Sequence, residues 1–309
     1  MAGNVPYGSL TDTSAISNLV QTAYDQYVRM ALRSIPVMRA LADVKPVQQA
    51  MPGSSVVFSI YSDLAQATST LTESSDVSSI ALGNPNQVTV TLQEYGSAVT
   101  TTKKLNLTSF NDVDAALADI IAYNAADSID AVVAGVLTSG TNIIYGGTAT
   151  NNAGITAGGT ISVSDIRAAV TNLRSNKALP RIGELYAAYL HPKQTADLRA
   201  ETGTGGFQDL SKYVDRTPFV AGAVGVLEGA FIVETPRVLS ASNGTTTVYK
   251  AIVAGREALA EAQGQDISTV IGPQIDALRR FHTIGWYYFG GWNILRAPAI
   301  YQIQTATAY

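Results

Sequence analysis

The residues best suited to chemistry in this sequence surround His191, one of only two histidines among 309 residues. Lys193 and Asp197 follow it closely in the stretch YLHPKQTADLR. A histidine that acts as a general base needs a nucleophile and an orienting carboxylate that converge on its ring. Asp197 lies more than a helical turn away. A residue before proline is disfavoured in a helix, whereas proline suits the first helical position. The pattern therefore predicts a strand-to-helix corner, with the imidazole near the helix N-terminus and no catalytic role.

Other signatures of catalytic, nucleotide or metal sites are incomplete in this chain. The glycines of 203–206 fit neither a dinucleotide fingerprint nor a phosphate loop, and no GK[ST] or GxSxG motif occurs. Asp112 and Asp114 resemble part of a calcium loop, but a helix N-terminus accounts for both. His282 lies in an aromatic strand, where an interior or interface position is predicted. Cysteine is absent, which excludes disulfides and thiolate sites. We predict no catalytic, cofactor-binding or metal-binding residues, and no enzyme.

The charge composition indicates a subunit of a larger assembly. Charged residues make up 14% of the chain, well below the roughly 25% usual for a soluble domain. The cores of protein interfaces show the same depletion. With a net charge of −4 and 20 Lys plus Arg, the chain has no cationic field for holding nucleic acid. Only weak, non-specific contact with DNA is expected.

No membrane association is expected from the sequence. The N-terminal residues have neither a basic patch nor an apolar core, so they do not form a secretory signal. The most apolar window, 219–233, is too short to span a bilayer and is interrupted by Glu228 and by glycines. The sequence therefore predicts a soluble protein.

Two β-type stretches towards the N-terminal end predict a long two-stranded arm. They are SSVVFSIYSDL (54–64) and NQVTVTLQEYGSAVTTTKKL (86–105), and a polar, serine-rich stretch separates them. No Lys or Arg occurs between Pro46 and Thr102. An isolated two-stranded ribbon is marginally stable in water and needs a surface to lie on. Two alternatives remain open: the arm is a sheet edge covered by its own domain, or it projects from the subunit.

The remaining elements alternate between helices and strands. Apolar spacing predicts a helix over 112–137, roughly 39 Å long at ~1.5 Å per residue, with Asn111 or Ser109 as its cap. A second helix runs over 163–176 with Ser164 as its cap, and a third runs from Pro192 to about Ala200. The other predicted elements are an N-terminal helix (14–42, kinked or broken at Pro36), a buried strand (184–191), two strands (224–238 and 246–255) joined through an Asn243-Gly244 turn, and a closing aromatic β pair (281–291 and 297–306).

The order of five stretches resembles the N4-type major capsid proteins of tailed phages, which have the HK97-like fold. These stretches are VTLQEYGSAVTTTKKL (ending at residue 105), LHPKQTADLR (190–199), VGVLEGAFIVETPRV (224–238), YKAIVAGREALA (249–260) and IGWYYFGGWNILRAPAIYQIQ (284–304). Together they span most of the chain from about residue 50 onward.

The resemblance implies an α+β, HK97-like major capsid fold divided into five regions. Its spine helix is the helix over 112–137, and its axial domain contains the His-Pro corner. The regions are an N-terminal arm and helix (1–49), an extended β-hairpin loop (50–105), a peripheral domain with the spine helix (106–160), an axial domain (161–265) and return strands of the peripheral domain (266–309).

The resemblance also implies a structural protein of the virion that self-assembles, in the host cytoplasm, into an icosahedral shell of hexamers and pentamers around double-stranded DNA. Because the arm begins almost at once, a separate scaffolding protein is expected, together with a portal and a decoration protein. The arm has no lysine between Lys45 and Lys103, so the cross-linking chemistry of some HK97-like shells is not carried over. The alternatives are an encapsulin-like compartment and, from another class, a surface adhesin.

Overall fold

The computed structural model describes residues 37–46, 55–61, 64–68, 70–71, 73–74, 76–77, 79–108, 113–202, 206–207, 225–272, 278 and 280–309. The predicted N-terminal helix lies outside these residues except for 37–42. That part is not α-helical: Met38–Leu41 form a short 3-10 turn, and a strand follows directly.

Thirteen strands and four α-helices are present in the described residues. The strands are β1 (Ala42–Pro46), β2 (Ser55–Ile60), β3 (Asn86–Thr91), β4 (Gln93–Thr102), β5 (Ile143–Tyr145), β6 (Tyr186–Leu190), β7 (Val226–Leu227), β8 (Ala230–Glu234), β9 (Ser240–Ser242), β10 (Thr247–Ala254), β11 (Leu259–Ile271), β12 (Phe281–Ile294) and β13 (Ile300–Thr305). The helices are α1 (Lys103–Thr108), α2 (Val113–Leu137), α3 (Val163–Ser175) and α4 (Pro192–Ala200).

A four-stranded sheet with α2 on one face forms the first unit of the fold. Its order is β1-β11-β12-β4, with β1 parallel to β11 and the other pairs antiparallel. The prediction of a long helix is confirmed, because α2 buries Ile121, Ala125, Ile129 and Val133 at helical spacing. Trp286 of β12 donates its indole N–H to Asn124 at 2.9 Å. The helix is therefore joined to the middle of the sheet by apolar packing and by a directed hydrogen bond.

A seven-stranded mixed sheet forms the second unit. Six strands run in the order β5-β13-β10-β6-β8-β7, and β9 pairs with β10 beside them. Gln194 of α4 donates to the Thr305 hydroxyl, and Asn176, which ends α3, donates to the Tyr301 hydroxyl. Tyr301 and Thr305 are four residues apart on β13 and so point to the same face. Both helices thus lie against one face of this sheet.

Two local predictions about these elements are corrected by the structure. Ser164 does not cap α3. Ser162 does, in a capping box with Asp165, because the helix already begins at Val163. The stretch 224–238 is not one strand but the β7–β8 hairpin, whose turn contains Glu228 and Gly229, both with positive φ.

The closing strands do not pair with each other, which corrects a third prediction. β12 belongs to the four-stranded sheet between β11 and β4, whereas β13 belongs to the seven-stranded sheet between β10 and β5. The turn around Asn243-Gly244 is confirmed. It joins β9 to β10, with Gly244 at φ +91°.

Candidate assembly surface

The predicted two-stranded arm is present, and its inner end lies on its own subunit. β2 and β3 pair in antiparallel register from Ser55↔Thr91 to Ile60↔Asn86. Val90 is fully buried against Ala260 and Ala262 of β11. The second predicted stretch is divided at Leu92, because β3 stays in the arm while β4 pairs with β12. The covered-edge alternative is therefore correct for this end of the arm.

Gly291 allows the arm to lie this close to the sheet. A Cβ built at this position overlaps the backbone carbonyl oxygen of Thr91 and lies 3.2 Å from a methyl group of Val90. Only a residue without a side chain permits the backbone of β3 to approach β12 so closely. The packing of the inner arm therefore depends on a glycine in the neighbouring strand.

The outer part of the arm, residues 61–85, is named the arm tip, and nearly all of its described residues are exposed. Its described residues include large apolar side chains that contact no core, and Leu71 is 78% exposed. The full set is Tyr61, Leu64, Leu71, Val77, Ile80 and Leu82. The charged residues described here, Glu73 and Asp76, are both acidic. The projecting-arm alternative is thus correct for the tip. Several large apolar side chains left uncovered within an otherwise polar stretch are typical of an interaction surface.

A cleft of about 1200 Å³ lies between the inner arm and the body of the subunit. The ammonium group of Lys45 lies 5.2 Å from the centre of the Phe58 ring. Basic residues outnumber acidic ones among its lining residues: Lys45, Lys177, Arg256 and Arg296 against Asp43 and Glu257. The cleft is therefore opposite in charge to the arm tip.

A second exposed apolar patch lies at the end of the four-stranded sheet where β4 ends and β12 begins. α1 follows β4 there, and the N–H of Lys103 donates to the carbonyl of Arg280 at 2.8 Å. Leu105 and Leu107 of α1 are exposed, as are Ile271 and Leu278 on the β11–β12 side. Two separate apolar areas on one weakly charged chain favour contacts with more than one neighbour.

His191 caps a helix, as its position before Pro192 predicts. Its ring Nδ1 accepts the backbone N–H of Lys193 at 3.2 Å, and the ring packs 4.5 Å from that of Tyr249. Burial, together with the charge of Lys193, lowers the pKa of His191 below its ordinary value. The Asp197 carboxylate is engaged elsewhere, where it accepts the N–H of Ala308. The structure does not bring these three residues together as a catalytic set.

The described part of the chain contains no group of three His, Cys, Asp or Glu side chains that could hold a metal ion. Part of α2, Leu117–Leu137, is long and apolar enough to cross a membrane by length and composition alone. Core helices pass the same test, and α2 packs on β12.

Sequence and structure comparisons agree on one class of protein. A family model described as phage capsid protein matches residues 11–296. No curated protein matches the chain.

Similar solved structures include three capsids. One is from cyanophage P-SCSP1u (TM-score 0.72, 18% identity, 94% of each chain covered). Another is from Ralstonia phage GP4 (TM-score 0.70, 14% identity, 100% of this chain and 99% of that chain). The third is from a native GTA particle (TM-score 0.68, 17% identity, 97% of this chain and 100% of that chain). At these identities the shared property is the fold.

Proposed function

The chain belongs to the phage capsid protein family, and we propose that its copies close into a shell by laying the arm tip of each subunit on a neighbouring subunit. The family and the HK97-like fold make the chain a major capsid protein with a structural role. The proposal concerns how that role is performed. In this proposal the subunits form hexamers and pentamers, and these form an icosahedral shell around the double-stranded DNA of a tailed phage.

The exposed arm tip is the observation that carries this proposal. Complete burial of a Leu, Ile or Val side chain contributes about 1.5–3 kcal/mol, and the tip holds several that its own subunit leaves uncovered. A closed symmetric shell repeats each contact in every subunit. The apolar side chains of a tip that projects from one copy can therefore be covered by the next copy all round the shell.

Charge supports the cleft beside a neighbour's inner arm as the receiving surface. The tip carries only acidic charges among its described residues, and basic residues predominate around the cleft. Complementary charge adds to specificity and to the rate of association. It also sets a register, because the acidic residues Glu73 and Asp76 lie between the apolar residues Leu71 and Val77 and not at the ends of the tip.

Finer assignments belong to the same proposal. We infer that the chain is of the N4-type group, from the five stretches that resemble it, and that it performs no enzymatic reaction. The four-stranded sheet with α2 would serve as the peripheral unit and the seven-stranded sheet as the axial unit. This assignment differs from the predicted regions, because β5 and β13 were expected in the peripheral regions 106–160 and 266–309 but pair within the seven-stranded sheet. A separate scaffolding protein, a portal and a decoration protein are the proposed partners, and the host cytoplasm is the proposed place of assembly.

Electron microscopy of the overexpressed chain tests the proposal. We expect shells, rings or tubes from the parent chain, and mainly unassembled subunits from a variant in which residues 64–82 are replaced by a short Gly-Ser linker. The inner arm is intact in that variant, so circular dichroism should still show the parent's content of strand and helix. Normal shells from the shortened chain would contradict the role given to the tip.

A further inference from the structure

Residues 37–46, named the strap here, cross from α2 to both sheets, and α2 holds one end of the strap. The Asp130 carboxylate accepts the backbone N–H groups of Met38 at 2.7 Å, Arg39 at 3.1 Å and Val37 at 3.4 Å. These are the free donors that begin the 3-10 turn. Asp130 is fully buried. Burial raises its pKa, and the three backbone hydrogen bonds limit that rise.

The strap is fixed to the four-stranded sheet by a buried charge cluster. The Arg39 guanidinium donates to both carboxylate oxygens of Glu261 on β11, at 2.6 to 3.2 Å. Tyr288 of β12 donates its hydroxyl to the same carboxylate at 2.8 Å. Glu261 has no solvent exposure. Removal of Arg39 would leave the charge of the buried Glu261 carboxylate uncompensated. β1 extends this attachment by pairing with β11 from Ala42↔Leu259 to Pro46↔Gln263.

The seven-stranded sheet holds the other side of the strap. Arg181, which lies shortly before β6, donates to the carbonyl oxygens of Ala40 at 2.9 Å and Ala42 at 3.1 Å. It also pairs with the Asp43 carboxylate at 3.0 Å. Tyr189 of β6 donates its hydroxyl to the carbonyl of Val37 at 3.3 Å. Polar groups along most of the strap are therefore satisfied by side chains that belong to different units of the fold.

We propose that the strap is a latch that fixes the angle between the two sheets of one subunit. Its contacts reach α2, β11 and the β6 region from a single ten-residue segment. The chain itself passes between the two units through three short connections, 138–142, 255–258 and 295–299. Buried, charge-assisted contacts favour one well-defined arrangement, because a partly formed cluster leaves polar groups unpaired. The latch sets the shape of each subunit, and through the proposed shell function it also sets the curvature that the subunits adopt together.

Distance measurement between two spin labels tests the latch directly. The chain has no cysteine, so Ser97→Cys on β4 and Ser240→Cys on β9 introduce one exposed label site in each sheet. Labelled chain is mixed with an excess of unlabelled chain, so that only pairs within one subunit contribute to pulsed EPR. Arg181→Met removes the arginine contacts between the strap and the β6 region, and Asp130→Ala removes the contacts with α2. The matched control is Arg167→Met, which removes an arginine that pairs with Glu228 outside the strap.

We expect a single narrow distance distribution in the doubly labelled parent and in the Arg167→Met control. We expect a broadened distribution, or a second distance, in Arg181→Met and in Asp130→Ala, while hydrogen exchange still shows protected β10 and β12. An unchanged distribution in Arg181→Met would overturn the proposal. Failure of both latch variants to fold would also overturn it, because the strap would then be part of the folding core. These distances lie within one subunit, so they stay interpretable even if shell assembly itself does not occur.

Discussion

Replacement of two apolar residues of the arm tip should weaken assembly without weakening the subunit. Leu71 and Leu82 are 78% and 60% exposed. Complete burial of a leucine side chain contributes about 1.5–3 kcal/mol, so covering the exposed parts of both contributes roughly 2–4 kcal/mol per arm. Since about 1.4 kcal/mol is a factor of ten, the double variant Leu71→Ser/Leu82→Ser should associate roughly 30- to 1,000-fold more weakly.

Light scattering against protein concentration measures this effect as the concentration at which shells first form. Thr68→Ser/Thr70→Ser is the matched control, because it changes the same tip without removing a large apolar side chain. The control should assemble at the parent's concentration, and both variants should keep the parent's unfolding temperature. If Leu71→Ser/Leu82→Ser assembled at the parent's concentration, the tip would not be the surface that a neighbour covers.

Three further predictions concern the stability of the subunit. Tyr288→Phe removes the hydroxyl that donates to the buried Glu261 carboxylate. Denaturant unfolding should show a free energy of unfolding lower by about 1.5–3 kcal/mol. An unchanged midpoint would mean that this hydrogen bond does not stabilise the subunit. Gly291→Ala forces the arm away from the sheet, so the free energy of unfolding should fall by about 1–3 kcal/mol and proteolysis of the arm should increase. Gly83→Ala is the control and should behave as the parent, because an added Cβ there has no neighbour within 4 Å. The lowered pKa of His191 means that the unfolded chain binds more protons here than the folded chain. The stability from this cap is therefore complete above its ordinary pKa of 6.5 and is lost as pH falls through 6.5 towards the lowered value. His191→Asn keeps a cap that does not titrate, so it should remove that part of the pH dependence of unfolding, and an identical pH profile would contradict the capping role.

Elements whose signals are local could be predicted from the sequence. The apolar spacing of α2 and the proline that begins α4 each depend on residues close together in the chain. The alternation of Val88 and Val90 in β3 is equally local. In each case the side-chain period or the backbone restriction depends on neighbouring residues, and the tertiary contacts agree with the conformation that these residues favour. The HK97-like fold was predicted from the order of such stretches.

The parts that could not be predicted depend on partners far away in sequence. β11 lacks regular alternation, includes Gly264, and its register with β12 shifts at Gln263/Gln265 and again at Gln265/Ser268. Its strand conformation comes from the strands on either side. Asp130 and Glu261 gave only a weak signal, because other acidic residues lie in the same elements, Asp119 and Asp127 in α2 and Asp266 in β11. Their partners in the strap lie 91 to 93 and 222 residues away, respectively. The close packing of the inner arm likewise depends on Gly291, which lies far from β3 in the sequence.

The division of one polypeptide run at Leu92 has a mechanical consequence. β3 leaves the arm, and one residue later β4 enters the four-stranded sheet beside β12, with register running from Gln93↔Gly290 to Thr102↔Phe281. Tension drawn along the arm therefore reaches the sheet parallel to its strands. The hydrogen bonds between antiparallel strands lie perpendicular to that direction. The force is therefore shared by all the hydrogen bonds between β4 and β12 at once and does not break them in sequence. Internal pressure that pulls neighbouring subunits apart would in this way be resisted by the ten residue pairs between β4 and β12.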